Sequence, residues 1–130
     1  MVSYSFDRAI TPGDLQPLLQ QTGWAHDRDV EGIRRMLEAT PVMLGAWDGD
    51  RLVGYARVVT DGVYRALIDD VVVDEPERKA GIGSDLMRRL VARLREMEIE
   101  EVLLRCGDYM EPFYAGLGFS KSGVLTMDLD

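Results

Sequence analysis

"ERKAGIGSDLM", residues 77–87, is the stretch on which the reading of this chain turns. Two glycines stand one residue apart, directly behind an Arg and a Lys, at the start of an apolar helical pattern. Helix starts favour a capping side chain and good helix formers, and glycine is a poor helix former. Bare backbone here has two readings. Helix N-termini expose unpaired N–H groups and a partial positive charge, so they take anions. Glycines without Cβ let a bulky phosphate come close, and Arg78 and Lys79 add positive charge. Alternatively, Gly81 and Gly83 serve a tight turn and close helix–sheet packing. A dinucleotide fingerprint would need glycine at position 86, which is Leu86, and a Gly-Lys-Ser/Thr loop is absent. A phosphate ligand is then neither a nicotinamide cofactor nor a nucleoside triphosphate.

On both sides of this stretch the pattern is regular. Ile82, Leu86, Leu90 and Leu94 repeat every four residues, widened by Met87, Val91 and Met97, and predict one long helix. Upstream, "VMLGAWDGDRLVGYARVVTD" places two apolar runs around Asp48-Gly49-Asp50, a hairpin signal. "YRALIDDVVVD" follows after Asp61-Gly62, which predicts a three-stranded antiparallel meander. "VSYSFDRA" reads as a first edge strand. Thr11 before Pro12 caps a helix that Pro17 is expected to break or bend. A second helix carries Val30, Ile33, Met36 and Leu37, with Asp27 or Asp29 near its cap and Pro41 at its end. "EEVLLRC" predicts a short strand, "MEPFYAGLG" a short helix and "VLTMDL" a final strand. The order β-α-α-β-β-β-α-β-α-β gives a mixed sheet with helices on it.

At 130 residues the chain is read as one domain, residues 1–130, with 46% hydrophobic and 29% charged residues. A net charge of −8 argues against nucleic acid as a partner, because phosphate backbones need a basic footprint. It suits a cationic small molecule or simply an acidic surface. The single cysteine, Cys106, forms no internal disulfide and no metal cluster with the single His26. A buried structural thiol is the expected role of Cys106. No signal core or membrane-length run is present, so a cytoplasmic protein without membrane contact is expected.

Arg78-x-x-Gly81-x-Gly83 after "DDVVVDEP" resembles the acyl-CoA binding motif of the GNAT superfamily of N-acetyltransferases. "PFYAGLGF", residues 112–119, resembles that family's second signature, and the element order matches across nearly the whole chain. The resemblance implies an α+β, three-layer fold of the acyl-CoA N-acyltransferase type: a mixed, mostly antiparallel twisted sheet of six to seven strands with helices on both faces. It implies acetyl-CoA as co-substrate. The diphosphate would lie on the stretch Arg78, Lys79, Ala80, Gly81, Ile82, Gly83 and Ser84, and the pantetheine arm on Val71, Val72 and Val73, with Phe113 and Tyr114 beside it. This requires the strand edge to splay from "LLRC". The implied reaction is direct attack of a primary amine on the acetyl carbonyl. Tyr114 would be the general acid, or else a core aromatic beside Phe113 and Phe119.

Asp69 and Asp70 interrupt a Val- and Ile-rich strand, and buried carboxylates need partners. By the resemblance Asp69 is the favoured base and Asp70 a substrate contact. Otherwise one of them pairs with Arg57 or Arg65. Adjacent strand residues point to opposite faces, so regular geometry turns only one toward a cleft. Trp24 and Tyr64 are candidate apolar walls of the acceptor site, and His26 a candidate substrate contact or a solvated loop residue. The acidic balance and the acidic pair favour a cationic small-molecule acceptor, with a protein N-terminus or a lysine side chain as the alternatives. Where many relatives carry Asn after the fifth strand, this chain has Cys106-Gly107-Asp108, which leaves that contact unassigned. A homodimer through the final strands is common for such an architecture. The alternative function is a non-catalytic acyl-CoA-binding sensor or regulatory module, which shares residues 78–84 but does without Tyr114 and the acidic pair.

Overall fold

Two cores face each other across one sheet, and the computed structural model describes all 130 residues around them. The strands are β1 (Val2–Ser5), β2 (Val42–Asp48), β3 (Arg51–Thr60), β4 (Arg65–Val73) and β5 (Glu101–Leu104), side by side in that order. β1 to β4 pair antiparallel and β5 pairs parallel to β4. The helices are α1 (Pro12–Leu19), α2 (Val30–Ala39), α3 (Ile82–Glu96) and α4 (Glu111–Ala115).

Strand alternation builds the two cores. Val42, Leu44 and Ala46 of β2 meet Leu86, Leu90 and Leu94 of α3 on one face. Trp47, Leu52 and Tyr55 meet Leu15 and Leu19 of α1 and Ile33 of α2 on the other. The helices therefore lie on both faces, as expected. Thr11 caps α1 reciprocally with Asp14, and of the two aspartates considered for α2, Asp29 is the cap. Gly49 and Asp50 make the two-residue turn between β2 and β3.

Close packing of α3 on the sheet needs Gly54, not Gly83. A Cβ on Gly54 would stand 3.0 Å from Leu86 Cδ1, whereas one on Gly83 would find its nearest neighbours, Phe113 and Val73, at an ordinary 3.7 Å.

Three expectations are corrected. α1 runs through Pro17 to Leu19 without a break; Leu15, Leu18 and Leu19, buried around the proline, hold it in place. The sheet has five strands rather than six or seven. The final run "VLTMDL" forms no strand: residues 120–130 join no ladder, and Leu125, Met127 and Leu129 are exposed. Strand preference expresses packing against cross-strand neighbours, and this run has none.

Candidate active site

β4 and β5 pair from Arg65↔Glu101 to Ile68↔Leu104 and no further. Beyond that point β4 continues to Val73 while the chain after Leu104 departs, so the sheet opens into the V that the sequence reading required. The Asp74 N–H donates to Val53 O on β3. Alternation then turns the peptide groups of Val71 and Val73 outward, toward the opening. Val72 instead pairs with Tyr55 and packs its side chain into the α1/α2 core.

At the end of that open edge stands the glycine turn. Lys79 (φ 70°) and Gly81 (φ 85°) both adopt the left-handed conformation, and α3 starts with no side-chain cap. The peptide N–H groups of Lys79, Ala80, Gly81, Ile82, Gly83 and Ser84 donate no hydrogen bond within the chain; the next, that of Asp85, reaches Gly81 O. Left-handed residues interleaved with ordinary ones turn successive N–H groups into an anion-holding concavity, and the helix dipole adds to it. A Cβ at Gly81 would meet nothing within 4 Å, so its side is open, and the residue is needed for its φ. Arg78 is tied back by Nε to Val73 O at 2.9 Å and by Nη2 to Gln21 Oε1 at 3.4 Å. The fit to a diphosphate therefore rests on unpaired backbone donors beside an open strand edge.

The opening continues as a cleft of about 550 Å³ lined by β4 from Ile68 to Val71, by residues 104–107, and by Tyr109, Met110 and Tyr114. Trp24 and Arg28, from the connection between α1 and α2, complete it. Tyr114 sits edge-on to Phe113 (5.0 Å between ring centres) and Phe119 (6.1 Å), so it packs among aromatics, as the core reading expected, and it also lines the cleft. Burial, with smaller contributions from Cys106 and Tyr109, holds its phenol above the ordinary tyrosine pKa. Cys106 is exposed and lines the cleft, which corrects the expectation of a buried thiol.

The acidic pair owes its arrangement to a bulge. Tyr55↔Val72 and Arg57↔Asp69 leave one extra residue on β4, and Asp70 takes φ 52° there. The bulge cancels the alternation expected of neighbours, so both carboxylates reach Arg57: Asp69 Oδ2 accepts from Nη2 at 3.3 Å and Asp70 Oδ2 from Nε at 2.6 Å. Asp70 also accepts from Trp24 Nε1 (2.9 Å, on Oδ1) and Arg28 Nη1 (2.6 Å, on Oδ2). Its side chain has no exposure, while that of Asp69 keeps 34%. Burial alone would raise the Asp70 pKa, but hydrogen bonds and charge from Arg28 and Arg57 hold it below the usual carboxylate value. Asp70 thus lies behind Trp24, Arg28 and Arg57, each of which donates to it, with no side-chain exposure left for a direct contact. Pairing with Arg57, the alternative read from the sequence, holds for both acids; Arg65 pairs instead with Glu100 and Glu101.

Asp69, Asp70, Trp24, Tyr114 and Val71 are brought together. His26 and Tyr64 are not. His26 is exposed, 3.2 Å from Asp27, and does not line the cleft. Tyr64 is exposed just before β4, and its carbonyl accepts from Glu101 N at the closed end of the V. Arg28 is the member that sequence reasoning missed. Only the fold brings it to Asp70, 42 residues away.

Residues 11–119 match the family model described as Acetyltransferase (GNAT) family, and the chain belongs to that family. Over 111 residues it is 31% identical to an uncharacterized N-acetyltransferase, ycf52-like, of Prochlorococcus marinus, covering 82% of this chain and 61% of the relative. Over 112 residues it is 33% identical to serotonin N-acetyltransferase 2, chloroplastic, of Oryza sativa subsp. japonica, covering 83% and 56%. The chain thus spans roughly six-tenths of the length of the curated relatives it matches. Among solved structures, a Trypanosoma brucei acetyltransferase shares 27% identity at a TM-score of 0.77, covering 100% of this chain and 99% of the other. A GNAT family protein of Streptococcus pneumoniae shares 25% at 0.80, with 100% of each chain covered. No helix is long and apolar enough to cross a membrane.

Proposed function

We propose that the protein transfers an acetyl group from acetyl-CoA to a primary amine by direct attack. The observation that carries this reading is the run of unpaired peptide N–H groups from Lys79 to Ser84, set where the open edge of β4 ends. Acetyl-CoA, when bound, supplies an activated thioester, so the protein need only bind, orient and move protons.

Each part of the chain then has one task. Residues 79–84 hold the diphosphate through backbone donors, with Arg78 and Lys79 adding charge. The outward peptide group of Val71 and the N–H of Val73 pair with the amide-rich arm as a neighbouring strand would, while the Val73 carbonyl holds Arg78. Phe113, which lies within contact range of Gly83, flanks that arm. Asp69 is the exposed member of the acidic pair and lines the cleft. It receives the proton that the attacking nitrogen sheds as its bond to the acetyl carbon forms, directly or through water. Tyr114 gives its phenolic proton to the departing sulfur as the C–S bond breaks. Its raised pKa keeps that proton in place throughout the neutral range. A lysine-like amine, with a pKa of about 10.4, is mostly protonated at pH 7, so rates rise with pH until Tyr114 titrates.

The test is thiol release from acetyl-CoA with a panel of amines, beside calorimetric titration with coenzyme A. Tyr114→Phe is expected to keep coenzyme A affinity and to lose turnover by about 10²-fold or more. Coenzyme A binding without thiol release from any amine would leave an acyl-CoA-binding module. Absence of binding would remove the reading altogether.

A further inference from the structure

The acidic pair does not leave the cleft negative. Asp70 is closed off from solvent, and both of its oxygens are filled by Trp24, Arg28 and Arg57. Asp69 shares Arg57. Two arginines therefore balance two aspartates inside a protein whose net charge is −8, and a cationic acceptor finds no uncompensated buried acid.

What the cleft presents instead is one side of a guanidinium. Arg28 uses only Nη1, toward Asp70 and, at 3.5 Å, Met36 Sδ. Its Nε and Nη2 donate to no atom of the chain, its side chain is 32% exposed, and the residue lines the cleft. Nε and Nη2 together form one of the two-pronged edges of a guanidinium, the edge that matches a carboxylate with two parallel hydrogen bonds. A buried carboxylate pins the arginine from the other side, so little rotamer entropy remains to be lost when a ligand binds. The same carboxylate holds the indole of Trp24, a residue that is 56% exposed and lines the cleft. Ile68, Val71, Leu104 and Met110 add apolar wall to a lining that Asp69 and Arg105 also share.

We propose that Arg28 and Trp24, oriented together by Asp70, receive the acceptor, and that this acceptor is an amine with an aromatic or apolar body and its own carboxylate. The assignment rests on the acetyl-transfer reading. It adds the substrate class: the carboxylate sits on the free edge of Arg28, the ring lies against Trp24, and the amine points toward Asp69 and Tyr114. Asp70 acts as a positioning residue.

Matched pairs that differ only in the carboxylate test this: tryptophan with tryptamine, phenylalanine with phenethylamine and lysine with cadaverine. Thiol release gives kcat/KM, and calorimetry on coenzyme A-loaded protein gives acceptor affinity. The expected result is at least a tenfold preference for the carboxylate member in the aromatic pairs, with lysine poorer than tryptophan. Arg28→Met should abolish the preference. Trp24→Ala, which also removes the donor to Asp70 Oδ1 and is therefore first checked by its Tm, should weaken both members of an aromatic pair and leave their ratio standing. Equal use of the two members, or preference for tryptamine, phenethylamine or cadaverine, overturns the assignment while acetyl transfer stands. Carboxylate-selective binding without thiol release keeps the acceptor site and removes the transferase reading. Coenzyme A binding with no acceptor binding overturns the assignment.

Discussion

Replacing Asp70 by Asn removes one charge and almost no volume from the centre of the site. Asn, like Asp, tolerates the left-handed conformation that φ 52° demands, so the backbone of the bulge is undisturbed. What changes is the balance around Arg57, whose side chain is only 15% exposed, and Arg28. Removing one partner of a buried pair costs about 3–5 kcal/mol, and the lower figure suits a case where the amide oxygen still accepts one bond. With about 2.1 cal/mol/K per residue, 130 residues give an unfolding entropy near 0.27 kcal/mol/K, so ~3 kcal/mol lowers Tm by about 11 °C. Asp70→Ala should fall lower still, since a Cβ without a polar group at positive φ adds about 1–2 kcal/mol. The pH dependence has a definite sign. Asp70 is held below its unfolded pKa of about 3.9, so its contribution is complete above that pH and fades as the pH falls through the lower folded value. The Tm gap between wild type and Asp70→Asn should be constant above about pH 5 and narrow below about pH 4. Thermal melts by circular dichroism from pH 3 to 8 measure it. A gap under about 2 °C at pH 7, or one that does not narrow in acid, would refute the account of Asp70 as a charge-paired hub.

Other outcomes follow from neighbouring features. Gly54→Val should destabilise by about 1–3 kcal/mol in urea titration, because its side chain would press on Leu86 and Ile82. Gly81→Ala should cost about 1–2 kcal/mol from its φ of 85° and lower coenzyme A affinity as well, read by calorimetry. In the wild type the high-pH fall in turnover should begin only above pH 10, since burial raises the Tyr114 pKa; Tyr114→Phe should lack that limb. Cys106, exposed on the cleft, should react readily with iodoacetamide and be shielded by a bound acceptor, as followed by mass spectrometry.

Local chemistry was readable in the chain. Thr11, Asp29 and the Gly49-Asp50 turn each settle their own conformation within a few residues, and the bare backbone of 79–84 was visible as glycines behind two basic residues. What stayed hidden depends on register and on distant partners. The Asp69–Asp70 dipeptide cannot announce a bulge, because the extra residue exists only relative to β3. Arg28 shares its loop with the candidates Trp24 and His26, but nothing local marks it until folding brings it to Asp70. The strand suggested by "VLTMDL" needed a neighbour that this fold does not give it, and Tyr64 is carried to the closed end of the V, away from the cleft.

The halt in β4–β5 pairing at Ile68 bears on more than catalysis. A sheet that stops short keeps part of its hydrogen-bonding capacity in reserve for a visitor, and whatever fills the gap becomes a temporary structural component of the fold. Saturation at a hundredfold over Kd would add about 2.7 kcal/mol to stability. Resistance of this protein to heat and proteolysis would then rise with the concentration of whatever molecule occupies the gap.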